Sequence, residues 1–245
     1  LQDDLIRTLP GMEQARIQRY AYSVEYDTID SRQLTSSLMS RQLPGLFSAG
    51  PINGTSGYEE AAVQGLIAGV NAGRYALGDS PVTLRRDQGY IGVLLDELIR
   101  WGLEEPYRML TSRNEHRLLH RQDNAMSRLT ETGVEWGLVP AVTLKQVRES
   151  DAAIEAERLR LSRHHLDGMP LTAVMCRPGY DYARTIREAG LEKAQLDAVQ
   201  ISQLETVVQY DSYIKRSQRE LEKRVEYEHL SLAGVDYSRV PSLSG

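Results

Sequence analysis

The stretch LFSAGPINGTSGYEEAAVQGLIAGVNAGRYA, residues 46–76, decides how this chain is read. Leu46-Phe47-Ser48-Ala49 is short and mostly apolar, which suits a buried strand. Gly50 to Gly57 then hold three glycines, one proline and one asparagine. Such a loop takes positive φ angles and lets a ligand approach the backbone. A long helix is expected next, capped by Thr55 or Ser56, with Glu59 and Glu60 in a first turn where acidic side chains favour the helix dipole. Unpaired N–H groups at such a terminus suit a phosphate or an electron-rich carbonyl. Gly65, Gly69 and Gly73 recur every four residues along the helix, among Ala61, Ala62, Ala68 and Ala72. Each glycine costs about 1 kcal/mol against alanine in a helix interior. The stripe therefore implies a face lying close to another backbone or to a cofactor, with close helix–sheet packing alone as the plain alternative.

The chain has 245 residues, enough for one large domain or two small ones, and 41% of them are apolar. A net charge of −5 argues against bulk adhesion to nucleic acid and leaves room for a local basic patch. Cys176 is the single cysteine, so neither a disulfide framework nor a Cys-rich zinc site is expected, which fits a reducing cytoplasm. No signal peptide or membrane-spanning stretch is visible. The chain opens on Leu1, and no strand–glycine-loop–helix dinucleotide fingerprint precedes residue 46, so it is expected to be a piece of a longer protein.

Residues 1–19 read as two helical turns broken at Pro10-Gly11, residues 20–27 as a strand, and residues 28–45 as polar connection. Gly78 is expected to end the glycine helix, and Gly102 to end a helix over Tyr90–Trp101. Pro106 is expected to start the next segment. Residues 142–165 read as a long charged helix, 168–179 as a loop, 181–193 as a helix, 195–208 as a mixed segment and 209–229 as a charged helix.

Arg108, Arg113, Arg117, Arg121 and Arg128 are opposed in their window only by Glu115 and Asp123. If that segment is helical, Arg113, Arg117 and Arg121 share one face and can track phosphates; a solvated face with internal ion pairs is the bland alternative. His116 and His120 lie four apart without a third ligand, so a structural or solvent role is expected rather than a metal. His164 and His165 are expected in solvent, and Cys176, in an apolar stretch, as a buried inert thiol. Glu59 and Glu60 read as dipole partners rather than an acid–base pair, and no catalytic residue is assigned. Tyr58 can stack on a flat ring or join the core.

GLFSAGPINGTSGYEEAAVQGLIAGVNA, followed by YIGVLLDEL, EPYRMLTSRNEHRLLHRQDNA and RLTETG in order, resembles the MnmG (GidA) family of tRNA uridine 5-carboxymethylaminomethyl modification enzymes. LPGMEQARIQRYAYSVEYD and YIKRSQRELEKRVEYEHL with DYSRVPSLS extend the resemblance over essentially the whole chain. It implies a mixed fold. Residues 1–78 would be the C-terminal piece of an α/β, Rossmann-like FAD-binding domain. Residues 79–140 would be a helical connector carrying the arginines, and 141–245 a truncated α-helical domain. It further implies FAD as cofactor, NADH as reductant, tRNA as substrate, a homodimer and a partner GTPase, MnmE. The flavin contacts would fall on Gly50, Pro51, Ile52, Asn53, Gly54, Thr55, Gly57 and Tyr58. The tRNA contacts would fall on Arg108 and Arg117, then Arg113 and Arg121. The family usually carries glutamine where Pro51 stands; proline supplies neither an N–H nor an amide side chain, so that contact is not carried over. The family's first dinucleotide fingerprint, its NADH-binding insertion and its catalytic cysteine are absent, and Cys176 matches no family cysteine. The final bundle that engages the GTPase is absent too. The chain alone is therefore expected to be catalytically silent and to bind the GTPase poorly. A non-catalytic helical RNA-binding module is the reading from another class. A folate-dependent tRNA methyltransferase is disfavoured by the EPYRMLTSRNEHRLLHRQDNA segment.

Overall fold

A computed structural model of the chain describes residues 1–22, 24–102, 105–228, 230, 231 and 233–235. The fold is mainly helical. Its helices are α1 (Gln2–Arg7), α2 (Tyr58–Leu77), α3 (Tyr90–Trp101), α4 (Ala125–Glu135), α5 (Ala141–Arg163), α6 (Leu171–Val174), α7 (Tyr182–Glu188) and α8 (Ala198–Glu228). Among the described residues the one sheet is a two-stranded hairpin, β1 (His165–Leu166) against β2 (Met169–Pro170). The chain divides into two compact units, one of Leu1–Ala72 with Leu98–Arg108, the other of Gly73–Glu97 with Met109–Gly245.

In the first unit, the strands expected at 20–27 and 46–49 do not form. Residues 20–22 and 24–27 carry no regular structure, and the second segment makes only an isolated bridge, Met39 with Phe47. The bridge consists of Ser40 N–H donating to Leu46 O at 2.8 Å and Ser48 N–H to Leu38 O at 3.3 Å, and among the described residues it is not extended into a ladder. Of the two turns expected over 1–19, α1 forms and buries nothing. Leu34, Leu38, Ile67, Leu98 and Tyr107 are buried. Ser31 Oγ donates to Leu98 O at 2.5 Å in the interior.

Gly78 ends α2 as expected. Its φ is +77°, its N–H donates to Tyr75 O, and the next N–H, of Asp79, donates to Arg74 O. That pair of bonds is the Schellman closure, which favours glycine in the left-handed position. Gly102, with φ +68°, likewise follows the last residue of α3.

The second unit centres on α5, whose Ile154 and Leu161 pack with Leu171, Val174, Met175, Tyr182, Ile186, Leu204 and Val208. Its polar heart is Tyr182. The hydroxyl donates to Glu157 Oε1 at 2.8 Å and accepts the Ala194 N–H at 3.0 Å, while Arg160 grips Glu157 with two bonds of 2.7 Å. Tyr182→Phe takes a donor from the buried Glu157 carboxylate and the acceptor from the part-buried Ala194 N–H, so chemical denaturation should show a loss of about 1–3 kcal/mol. The segments read separately as 195–208 and 209–229 form one helix, α8. The loop expected at 168–179 holds β2 and α6. Cys176 is exposed rather than buried. It follows α6 at the surface, with its Sγ 3.4 Å from Thr172 O. No described helix is long and apolar enough to cross a membrane. The tail PSLSG, residues 241–245, for which no element was expected, lies outside the described residues.

Candidate cofactor cradle and arginine loop

The glycine loop is built from inside by polar side chains. Residues Gly50–Asn53 form a single 3₁₀ turn with Pro51 at its start, where a missing N–H goes unnoticed and the fixed φ of proline fits. Gly50 and Gly54 have φ of +82° and +81°, which favours glycine at both ends of the turn. Gln64, from the second turn of α2, holds the loop together. Its Oε1 accepts from Gly50 N–H at 3.2 Å and from Asn53 Nδ2 at 2.9 Å, and its Nε2 donates to Thr55 Oγ1 at 2.5 Å. Thr55 Oγ1 in turn donates to Gly50 O, and Asn53 also reaches Ser48 O and Ser48 Oγ. Asn53, Thr55 and Gln64 are fully buried. Ile29 N–H to Ile52 O and Tyr107 N–H to Gly54 O tie the loop to its surroundings.

Gly57, not Thr55 or Ser56, caps α2: its carbonyl accepts the first helical bond, from Ala61 N–H. Thr55 is spent on Gly50, and Ser56 lies one residue too early. A Cβ at position 57 would collide with the Glu60 carboxylate, which folds back over the cap as a third-position glutamate does. Glu60 is buried, and its Oε1 lies 3.4 Å from Arg108 Nε, whose side chain stays 60% exposed.

A cleft of about 330 Å³ opens on the outer side of this loop, lined by Pro51, Gly54, Thr55 and Ser56 with Val24, Glu25, Tyr26, Thr28, Glu105 and Pro106. The N–H groups of Thr55 and Ser56 have no acceptor among the described residues, and both residues line the cleft. Ile52 and Tyr58 are exposed, Tyr58 at 91%. The glycine stripe behaves otherwise than expected. A Cβ added at Gly65, Gly69 or Gly73 would meet nothing within 4 Å, so the stripe faces open space rather than a close neighbour within the chain.

The arginine segment is not a helix. From Tyr107 to Asn124 it runs as a loop with one 3₁₀ turn, Thr111–Arg113, and α4 begins only at Ala125. Arg113, Arg117 and Arg121 therefore share no helical face. Arg113 pairs with Glu97 at 3.1 Å. Arg121 is forked onto Asp123 by two bonds of 2.9 Å and has a side chain only 17% exposed. Arg128 spans Gln88 O and Arg121 O, a structural duty. Arg117 alone of the row is exposed with no ion pair among the described residues.

Arg86, missed in the sequence, is the hub of this region. It forks onto Glu115 at 2.9 and 2.8 Å and reaches Asp96 and Glu97. Its hydrogen bonds hold the Glu115 carboxyl down at about 2. The folded value lies below the ordinary 4.5, so this pair contributes stability above pH 4.5 that is lost as pH falls toward 2. Glu115→Gln should remove that part of the acid transition, with a ceiling of roughly 3 kcal/mol at neutral pH, read from denaturation at several pH values. His116 and His120 are buried, rings 5.7 Å apart, as structural residues. Burial pushes His120 below its usual value. Among the described residues no group of side chains could hold a metal ion. His164 and His165 are exposed, as expected.

The loop and α2 fall within residues 1–80, which match the family model described as Glucose inhibited division protein A. Over its whole length the chain is 47% identical to the tRNA uridine 5-carboxymethylaminomethyl modification enzyme MnmG of Deinococcus radiodurans. It is 48% identical to that of Thermus thermophilus. A solved structure of Aquifex aeolicus GidA superposes on 99% of the chain with a TM-score of 0.80 and 36% identity. The chain belongs to the MnmG (GidA) family. It spans 41% of the length of the Deinococcus and Thermus relatives and 42% of the Aquifex chain. For this member of the MnmG family, the expected site residues lie on the glycine loop, in the first unit, and on the segment from Arg108 to Arg121. Of the eight loop residues expected at the flavin, Asn53 and Thr55 have their side chains committed inward. Pro51 and Gly54 line the cleft, Ile52 and Tyr58 are exposed, and Gly50 and Gly57 are buried in the loop's own frame.

Proposed function

We propose that the chain is part of an FAD-dependent tRNA-modifying enzyme that, with the partner GTPase MnmE, installs the carboxymethylaminomethyl group at C5 of the wobble uridine. The observation that carries this reading is the cleft against the glycine loop, taken with relatives named as that enzyme over the full chain. The residues fit a flavin. Ser56 brings an N–H without an internal acceptor to the cleft wall, at the positive end of α2, where negative charge on a reduced ring is favoured. Its neighbour Thr55 is held from inside by Gln64, so the donor is in place before a ligand arrives. Tyr58, at the helix start, has its ring free to stack. Bound FAD would supply the redox chemistry, with NADH as reductant; this chain's residues position and tune it. Residues 1–78 then belong to an α/β FAD-binding domain whose strands come from the rest of a longer polypeptide. Arg108 and Arg117 are the tRNA contacts, and Arg113 and Arg121 support the loop through ion pairs with Glu97 and Asp123. The protein acts in the cytoplasm as a homodimer.

A cleft of about 330 Å³ is at the small end for an organic ligand, enough for part of FAD and not all of it. The chain purified alone should accordingly be colourless and inactive, while the complete polypeptide carries one flavin. A complete polypeptide free of flavin after saturating FAD and gel filtration would refute the proposal.

A further inference from the structure

Three consecutive residues of the turn before α3 clamp the arginine loop. Arg86 donates to Arg113 O at 3.3 Å and forks onto Glu115. Asp87 O meets His120 Nε2 at 2.9 Å, and Gln88 O accepts from Arg128, which also holds Arg121 O. Arg117 sits between these fixed points, in a turn closed by Leu119 and His120 N–H groups on His116 O. We propose that Arg86 and His120 are positioning residues that hold this loop in the one shape offering Arg117 to a phosphate backbone, and that protonating His120 releases it. The inference rests on the reading that Arg117 contacts RNA.

The chemistry follows from the bonds of the ring. Asn114 Oδ1 accepts the His116 N–H at 2.8 Å, which fixes the amide so that its Nδ2 donates to His120 Nδ1 at 2.9 Å. A carbonyl only accepts, so Nε2 carries the ring proton toward Asp87 O. Both nitrogens are satisfied only in the neutral ring. A second proton would turn Nδ1 into a donor facing an amide donor that cannot flip without releasing His116. The surrounding groups oppose that proton as well: the Arg128 guanidinium and the His116 ring repel it, the Tyr90 ring, 6.0 Å away, offers no charge, and the Asp87 carboxylate, which favours it, is forked onto Arg85. Arg86 needs its fork, because one edge holds Glu115 while the other reaches Asp96 and Arg113 O; lysine would keep the charge and lose that geometry.

The test is tRNA binding to this chain by fluorescence anisotropy from pH 8 to pH 5 at fixed salt, with wild type, His120→Gln, Arg86→Lys and Arg117→Ala. Glutamine keeps a donor for Asp87 O and cannot titrate. His120→Gln should match wild type at pH 8, and by pH 5 wild type should fall behind it by about threefold or more, within the tenfold per pH unit that one proton allows. Arg86→Lys should weaken binding in the wild-type background and have no further effect on Arg117→Ala. If Arg117→Ala alone leaves affinity unchanged, the RNA reading and this inference fail together. If Arg117→Ala weakens binding, but wild type and His120→Gln run parallel at all pH values, the positioning inference alone is overturned. Should Arg86→Lys fail to fold, the His120→Gln comparison decides.

Discussion

Gln64→Leu should destabilise the chain by about 3–5 kcal/mol, more than any ordinary surface change, because it strips partners from three buried groups at once. Gly50 N–H loses its acceptor, Asn53 Nδ2 loses one of two, and Thr55 Oγ1 loses its donor. Leucine is close in volume, so no cavity confuses the result; the loss is one of hydrogen bonds in an interior where water cannot replace them. Urea denaturation gives the free energy. Hydrogen exchange at Gly50 locates it, since that amide should become fast while the core of the second unit stays protected. A loss below about 1 kcal/mol would mean that the loop is held by something other than Gln64.

The second large effect concerns RNA. Arg108→Ala with Arg117→Ala should lower the salt dependence of tRNA binding by roughly 1.4–1.8 in the log–log slope, the yield of two phosphate contacts. Arg108 keeps an exposed guanidinium even while its Nε faces Glu60, and Arg117 has no ion pair among the described residues to hold it back. Arg121→Ala should leave the slope nearly unchanged, because that guanidinium is already committed to Asp123 and Leu118 O. Titration at several salt concentrations measures all three. An unchanged slope in the double variant would remove the arginines from the RNA contact.

What the sequence disclosed and what it hid have physical causes. Helices α3 and α5 were legible because apolar residues recur at helical spacing and Gly102 ends α3. The arginine segment misled because a four-residue repeat is also compatible with a loop pinned from outside. Its shape is set by Arg86 and His120 across 27 and 33 residues, and such partners leave no periodic trace. The join in α8 was read as a break because its first half is mixed in polarity, yet Leu204 and Val208 bury there and carry the helix through. The hairpin of β1 and β2 does have a sequence signal: Asp167-Gly168, both with positive φ, is the favoured two-residue hairpin turn. In the glycine loop the composition marks the turn, while the side-chain bonds of Asn53 and Thr55 to Ser48, Gly50 and Gln64 leave no trace in the pattern; these side chains frame the loop from inside, and Thr55 and Ser56 also line the cleft.

Hydrogen exchange at Ser56 in the complete polypeptide, with and without FAD, tests the central claim most directly. That amide lacks an internal acceptor and its residue is exposed, so it should exchange rapidly without FAD and slow sharply when the flavin binds, while Gly50, already bonded to Gln64, changes little. Rapid exchange at Ser56 in a flavin-saturated protein would show that the ring is held elsewhere and would contradict the account.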